Sequence, residues 1–488
     1  MSEILVIILV AAPAAAAAVG LLPMPVIARE LVTLAASVVG AAVSAVLVAE
    51  DRLPIRGLGG SLYLDGLGLV LVATSALVYL LASIYAVGYF NYERGHRHYR
   101  DYNRRFHVLF NAFAASLFLV PITGNFMLMW IMVELTTLTS ALLVGLERRS
   151  QAAEAAWKYI LVASSGLMLA LLGLTLFYFA GTASLGPRYD PTFSSLAAVA
   201  RHLPVRTTLA AFGLAVIGFG TKAGLVPMHA WLPDAHSEGA TPVSAMLSGA
   251  LLASAMYAIL RLEPIAVGSA GGAVPHAILF AFGGVSLAVA GLFALRQTNL
   301  KRLYAYSSIE HMGIVAVGAA IASPLALYGV MLHVLVHGAS KSLAFFGAGS
   351  VQQRFQTQDT RSVRGLARLM PATAAFLVAG LISVSAIPPA ALFRSEFTIL
   401  LGGFERREFV PAVVLILFAN LVFLGALRLV NRATFSEPTP GEAKGESSRL
   451  MVAAMALASV PAFLLAFYIP TPLGHVLNQA AQVVLGRA

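Results

Sequence analysis

The chain has 488 residues, 59% of them apolar and 11% charged, with a mean hydropathy of +0.83. No soluble globular domain carries that much apolar surface, and a formal charge of +10 confined to short loops between apolar runs serves membrane orientation and excludes nucleic-acid binding. The absence of cysteine excludes thiolate-bound iron–sulfur clusters, covalent c-type haem and disulfides, so redox chemistry in any assembly belongs to another chain.

In chain order, a window of about 19 residues marks spans near 3–22, 26–49, 64–90, 107–123, 125–146, 152–180, 205–227, 240–262, 275–295, 301–322, 325–350, 371–402, 409–432 and 450–470. Each is long enough to cross about 30 Å of hydrocarbon as a helix, and too long and uniformly apolar for a barrel strand. The prediction is an all-α polytopic membrane protein of about fourteen spans, a single domain over 1–488. The first run, from Ile4, lacks a basic leader, and a Leu-Pro-Met-Pro turn precedes Val26, so the N-terminus reads as a mature hairpin rather than a cleaved signal peptide.

Basic residues collect in alternate loops: Arg94, Arg97, Arg100, Arg104 and Arg105; Arg148 and Arg149; Lys301 and Arg302; Arg354, Arg361, Arg364 and Arg368; Arg432, Lys444 and Arg449. Arg188, Arg201, Arg406 and Arg407 are the exceptions. The positive-inside rule then places the rich face in the cytoplasm and both termini outside.

Two spans are interrupted. Pro227 follows Lys222 in span 7, and Pro388-Pro389 precedes Glu396 in span 12. Each proline removes an amide donor and frees a carbonyl one turn earlier, at Ala223, Val384 and Ser385. Breaks five spans apart are what inverted-repeat transporters place around an ion path, while ordinary proline kinks are the alternative.

Several ionisable residues fall inside spans, where each costs a few kcal/mol unless neutral or paired. Glu134 lies near the centre of span 5 and Lys222 near the break of span 7; they form either a switching pair that loads and releases a proton or a static ion pair fixing helix register. His333, His337 and Lys341 recur every four residues and share one helix face, suited to a proton relay. Two histidines so spaced also suit a metal, but no third ligand follows in the pattern of a zinc helix, and no metal is predicted. Glu310 and His311 point in different directions, so only one is expected to face a pore. Glu396 is the carboxylate where a path meets the far side, or simply a partner for Arg394. His229, Asp234, His236 and Glu238 fall in a loop past the break, feeding the path or capping the next helix.

At these residues the chain resembles the antiporter-like subunits shared by respiratory NADH:quinone oxidoreductase (complex I), Mrp-type cation/proton antiporters and energy-converting membrane-bound hydrogenases. The resemblance rests on Leu64-Asp-Gly66, Val133-Glu-Leu135, the run from Gly220 to His236, Thr241-Pro-Val-Ser244, the run from Leu300 to Ser308, His311-Met-Gly313 and the segment from His337 to Lys341. It implies fourteen helices: an N-terminal group over 1–90, two inverted five-helix repeats over 107–262 (helices 4–8) and 275–432 (helices 9–13), and a last helix with its tail over 450–488. It implies that Glu134 and Lys222 gate proton movement, that His337 and Lys341 relay it, and that Glu396 is terminal. It also implies no cofactor in this chain and partners that are other membrane subunits plus a peripheral redox arm carrying iron–sulfur and, in the hydrogenase branch, nickel–iron subunits. Where many members have a helix 8 lysine, this chain has Ala253, so the link between halves either runs through water and hydroxyls such as Ser248 or Ser254, or through His311, or is weakened. The segments Ser308–Gly313 and Ser395–Phe397 resemble the hydrogenase branch, formate hydrogenlyase-like systems included. The tail after span 14 is about eighteen residues, short of a long lateral helix.

The leading expectation is a proton-translocating subunit of a redox-driven, hydrogenase-type complex in a prokaryotic plasma (inner) membrane. A subunit of complex I or of an Mrp-type Na+/H+ antiporter is the alternative. A free-standing solute transporter lacks its roomy midplane site, and a purely structural anchor would not need several buried charges.

Overall fold

The computed structural model describes residues 2–58, 61–91, 99–147 and 149–487. Arg94, Arg97 and Arg148 lie outside the described residues. Helices α1 (Ser2–Gly20) and α2 (Val26–Glu50) form the N-terminal hairpin, and a small antiparallel ladder of β1 (Ile55–Gly57) and β2 (Leu62–Leu64) pairs Ile55 with Leu64. There follow α3 (Gly66–Asn91), α4 (Tyr99–Leu119), α5 (Phe126–Val144), α6 (Ser150–Leu185), the short α7 (Phe193–Ala198), α8 (Val205–Ala223) and α9 (Trp231–Glu238). A continuous run contains α10 (Thr241–Met246), a π-helical turn over Leu247–Leu251 and α11 (Leu252–Ala270). The remainder comprises α12 (Ala273–Ala294), α13 (Leu300–Ile321), α14 (Pro324–Phe355), the single turn α15 (Leu366–Leu369), α16 (Pro371–Val384), α17 (Ala391–Glu405), α18 (Phe409–Phe435), α19 (Arg449–Phe467) and α20 (Thr471–Val484).

Among the described residues, eleven helical segments are long and apolar enough to cross a membrane. The three other predicted spans are α8, α13, whose Glu310, His311 and serines lower its hydropathy, and the broken pair α16–α17. Helices satisfy every backbone group internally, which hydrocarbon demands. The apolar central stretches of the segment Thr241–Ala270 and of α14 are enclosed by the rest of the chain, whereas α1, α6, α12 and α18 turn much of their surface outward. Leu161, Leu172, Phe179, Val413 and Leu417 on that outer surface are exposed, as contact with lipid or neighbouring subunits requires.

The basic loops meet at one end. Arg149 pairs with Glu238, Arg302 with Asp234 at 2.6 Å, Arg354 donates to the Ala443 carbonyl and Arg432 to that of Arg361. The opposite end gathers Glu3, whose carboxylate accepts from the Leu58 amide, and Asp51, which lies 3.0 Å from His475. There the Leu64-Asp-Gly66 turn is pinned to α11: both Arg261 terminal nitrogens donate to the Asp65 carboxylate at 2.5 Å, and Arg261 Nε donates to the Tyr257 hydroxyl at 2.9 Å.

Both breaks are built from the same backbone motif. Helix α8 ends at Gly224 (φ +79°), with the Leu225 amide donating to the Gly220 carbonyl and the Gly224 amide to that of Thr221. Helix α16 ends at Ala386 (φ +47°), with the Ile387 amide donating to the Ile382 carbonyl and the Ala386 amide to that of Ser383. These are Schellman closures around a left-handed residue. The prolines named from the sequence, Pro227 and Pro389, each come three residues later, so they prevent resumption of the helix rather than ending it. Gly224 is needed on two counts, since a side chain there would be left-handed and would run into Leu232.

Two elements were invisible to a hydropathy window. The stretch read as a loop past the first break is the half-helix α9, and the tail contains the amphipathic α20, which buries Val476, Leu477, Ala480, Ala481 and Val484. Its Ala480 amide sits where a Cβ on Gly66 would come within 2.8 Å, so α20 packs directly against the start of α3.

Candidate functional site

Glu134 and Thr137 are three residues apart on α5 and so share a face. Opposite them, Lys222 Nζ is fully buried at the last turn of α8, where it donates to Thr137 Oγ1 at 2.5 Å and to the Tyr159 hydroxyl at 2.9 Å. Tyr159 also meets Ser140 Oγ at 2.8 Å. Glu134, half-buried, accepts from Ser164 Oγ at 2.6 Å, and its other carboxylate oxygen is enclosed without a partner. Among the described residues no contact within 4.0 Å joins Glu134 to Lys222, so the two do not form a direct ion pair, and each rests instead on hydroxyls, Ser164 for Glu134 and Thr137 and Tyr159 for Lys222.

From Tyr159 the site continues inward through α9. The Trp231 indole stacks on the Tyr159 ring at 4.3 Å and donates its N–H to the Thr221 carbonyl, one turn before the break. His236, one helical turn and a residue further, is buried between Trp231 and Phe345, with Nδ1 2.9 Å from the Leu232 carbonyl. That bond requires the proton on Nδ1 and leaves the enclosed, unpartnered Nε2 as an acceptor. His236 and His337 both lie within electrostatic range of Lys341.

Ala253 is buried on α11, and Ser254 is spent on its own helix, donating to the Leu251 carbonyl at 2.6 Å. Ser248, in the π-helical turn, meets Ser308 of α13 at 2.7 Å. The polar groups nearest the centre are thus His236 on one side and the Ser248–Ser308 pair on the other. Sequence reading placed His236 in a loop because Pro233 and Asp234 dilute the hydropathy of so short a helix.

In the second half, Lys341 Nζ donates to Ser307 Oγ at 2.7 Å and to the Tyr304 carbonyl at 3.1 Å. Ser307 is in turn a hydrogen-bond partner of Glu310, which lies within electrostatic range of both Lys341 and Glu396. Beyond it, His311 Nδ1 is 3.1 Å from His333 Nε2, His333 Nδ1 is 3.1 Å from Ser395 Oγ, and Glu396 approaches His311 Nδ1 at 4.0 Å. The His337 ring lies 5.0 Å from that of His311, with both its nitrogens unpartnered. His311 Nε2 meets the Val384 carbonyl at 3.1 Å, one of the carbonyls that the break in span 12 was expected to free.

Two expectations change here. Glu310 and His311 both face the buried polar axis, because α13 is enclosed and the axis bends around it, so residues about 100° apart on the helix meet successive parts of one network. Arg394 is not the partner of Glu396; it donates to the Leu465 and Ala466 carbonyls of α19.

A lateral file of buried carboxylates, lysines, histidines and hydroxyls, threaded between two broken helices, defines an antiporter-like membrane subunit. Residues 123–423 match the family described as NADH:quinone oxidoreductase/Mrp antiporter, and the chain belongs to that family. It is 35% identical over 424 residues to a hydrogenase-4 component F homolog of Methylacidiphilum infernorum, covering 84% of this chain and 86% of that one. It is 32% identical over 422 residues to an NAD(P)H-quinone oxidoreductase chain 4 of a Picosynechococcus species, covering 84% and 75%. A chain of the archaeal membrane-bound sulfane sulfur reductase superposes with a TM-score of 0.87 at 20% identity, covering 99% of this chain and 97% of that one, a likeness of fold.

Proposed function

We propose that this chain is the proton-translocating subunit of a redox-driven complex of the membrane-bound hydrogenase type, in a prokaryotic plasma membrane with both termini outside. The observation that carries the reading is the near-continuous file Glu134, Lys222, Tyr159, His236, Lys341, Ser307, Glu310, His337, His311, His333 and Glu396, buried throughout except at the half-buried Glu134, in which hydroxyl and imidazole groups lie between the charges. Burying so many ionisable groups at membrane depth is costly and favours an ion path. Lys222, biased by Glu134, loads the first half; His236 and the Ser248–Ser308 pair pass charge across the centre; Lys341 and the histidines deliver it to Glu396.

The matching Schellman closures support two related halves, over 107–262 and 275–432, flanked by helices 1–3 and by helix 14 with its tail. Likeness to the hydrogenase-4 component F homolog supports the hydrogenase branch and partners that include other membrane subunits and a peripheral iron–sulfur arm. The redox centres belong to those partners.

The test is Lys222→Ala in inverted vesicles carrying the assembled complex. Redox-driven acidification is expected to fall at least tenfold while electron transfer and subunit composition persist. Near-normal acidification in the variant would refute the assignment.

A further inference from the structure

The cluster at the outer bend of the file has the construction of a metal site. His311 comes from α13, His333 and His337 from α14, and Glu396 from α17, so the ligands that spacing along one helix did not supply are brought in by two others. The facing atoms of His311, His333 and Glu396 all lie within 4.8 Å of one another, with 3.1 Å between the two imidazole nitrogens and 4.0 Å from His311 to the carboxylate. Four ligands about 2.05 Å from a tetrahedral zinc ion stand roughly 3.3 Å apart, so small rotamer adjustments bring these atoms onto that geometry.

The outer hydrogen bonds aim the rings as metal ligands are aimed. The Val384 carbonyl can only accept, so His311 Nε2 carries a proton and the Nδ1 lone pair of the neutral ring faces inward. Ser395 Oγ donates to the Leu392 carbonyl at 2.8 Å, so it accepts from His333 Nδ1–H, and the Nε2 lone pair of that ring also faces inward. Two lone pairs 3.1 Å apart beside a carboxylate repel unless a cation lies between them. His337, fully buried with neither nitrogen partnered, borders the same space and offers a further ligand.

We infer that His311, His333 and Glu396, with His337 beside them, bind one divalent first-row transition metal of the Zn2+ class. Imidazole nitrogen with a single carboxylate suits such an ion and not Mg2+ or Ca2+, which take oxygen ligands. Glu396, 8% exposed, is the ligand least enclosed, the imidazoles of His311 and His333 being fully buried. In the proposed path these same atoms take up and release the proton on its way to Glu396, so a metal held by their lone pairs blocks the path at that point. That consequence for transport rests on the function proposed above; the binding itself does not.

The experiment loads the purified complex with ZnSO4, removes excess by desalting, and measures zinc per complex and its absorption-edge fine structure. The expected result is one equivalent more in the native complex than in His311→Gln or His333→Gln, with a shell of imidazole nitrogen plus oxygen. Ser395→Ala, which touches no metal, is expected to weaken binding by about ten- to a hundredfold by releasing the His333 ring. Equal zinc retention in the native and histidine-variant complexes overturns the site, as does a shell made of oxygen alone. The Lys222→Ala complex is expected to keep its zinc. Zinc bound at this site with proton movement unimpaired would uphold the metal site and refute the path through it, so the two failures are distinguishable.

Discussion

Replacing His236 with phenylalanine separates its role as a link from its role as packing. The ring is sandwiched between Trp231 and Phe345, with centroid distances of 6.1 Å and 5.9 Å, and phenylalanine keeps that aromatic volume. The bond lost is Nδ1–H to the Leu232 carbonyl, worth about 0.5–1.5 kcal/mol, and since that carbonyl is at a helix turn the complex should assemble with only a small drop in thermal stability. Transport should respond far more. Between the Tyr159 hydroxyl and Lys341 the indole of Trp231 has a donor but no acceptor, so with His236 gone the remaining bridge is Ser248 to Ser308. A fall of tenfold or more in proton movement, equivalent to about 1.4 kcal/mol in the barrier, is expected. The assay is redox-driven acidification of inverted vesicles, normalised to electron transfer. Acidification within twofold of native in His236→Phe, with a large loss in Ser248→Ala, would show that the hydroxyl pair is the link and that the histidine only packs.

Glu396→Gln is expected to stop proton movement while Arg394→Gln leaves it within about twofold, because Arg394 is bonded to the carbonyls of α19; equal losses in the same vesicle assay would mean that the two act as a pair. Asp65→Ala strands the Arg261 guanidinium in a site where the two side chains are 8% and 5% exposed, and should destabilise the chain by about 3–5 kcal/mol, whereas Asp65→Ala with Arg261→Met should recover part of that loss. Thermal aggregation midpoints of the detergent-solubilised complex measure both, and a double variant no more stable than the single one would refute the stranded-charge explanation.

Fourteen spans, the clustering of basic loops and the two interruptions follow from the sequence alone, because hydrocarbon imposes one rule along every segment: long apolar helices with their charges kept at the ends. The same rule made Glu134, Lys222, His311, His333, His337, Lys341 and Glu396 conspicuous, since a charge inside a span needs a reason. Tertiary structure alone decided what those groups touch. Lys222 rests on Thr137 and Tyr159 instead of on Glu134, Glu310 joins the file because α13 is enclosed on all sides, and His236 enters it because half of a helix looked like a loop. The amphipathic α20 was likewise below the reach of hydropathy, its apolar face being defined by what it packs against. A hydropathy window measures partition between water and lipid, one segment at a time. Partners across the interior are set by how the broken helices turn, which depends on Gly224 and Ala386 adopting left-handed backbone and on what packs around them.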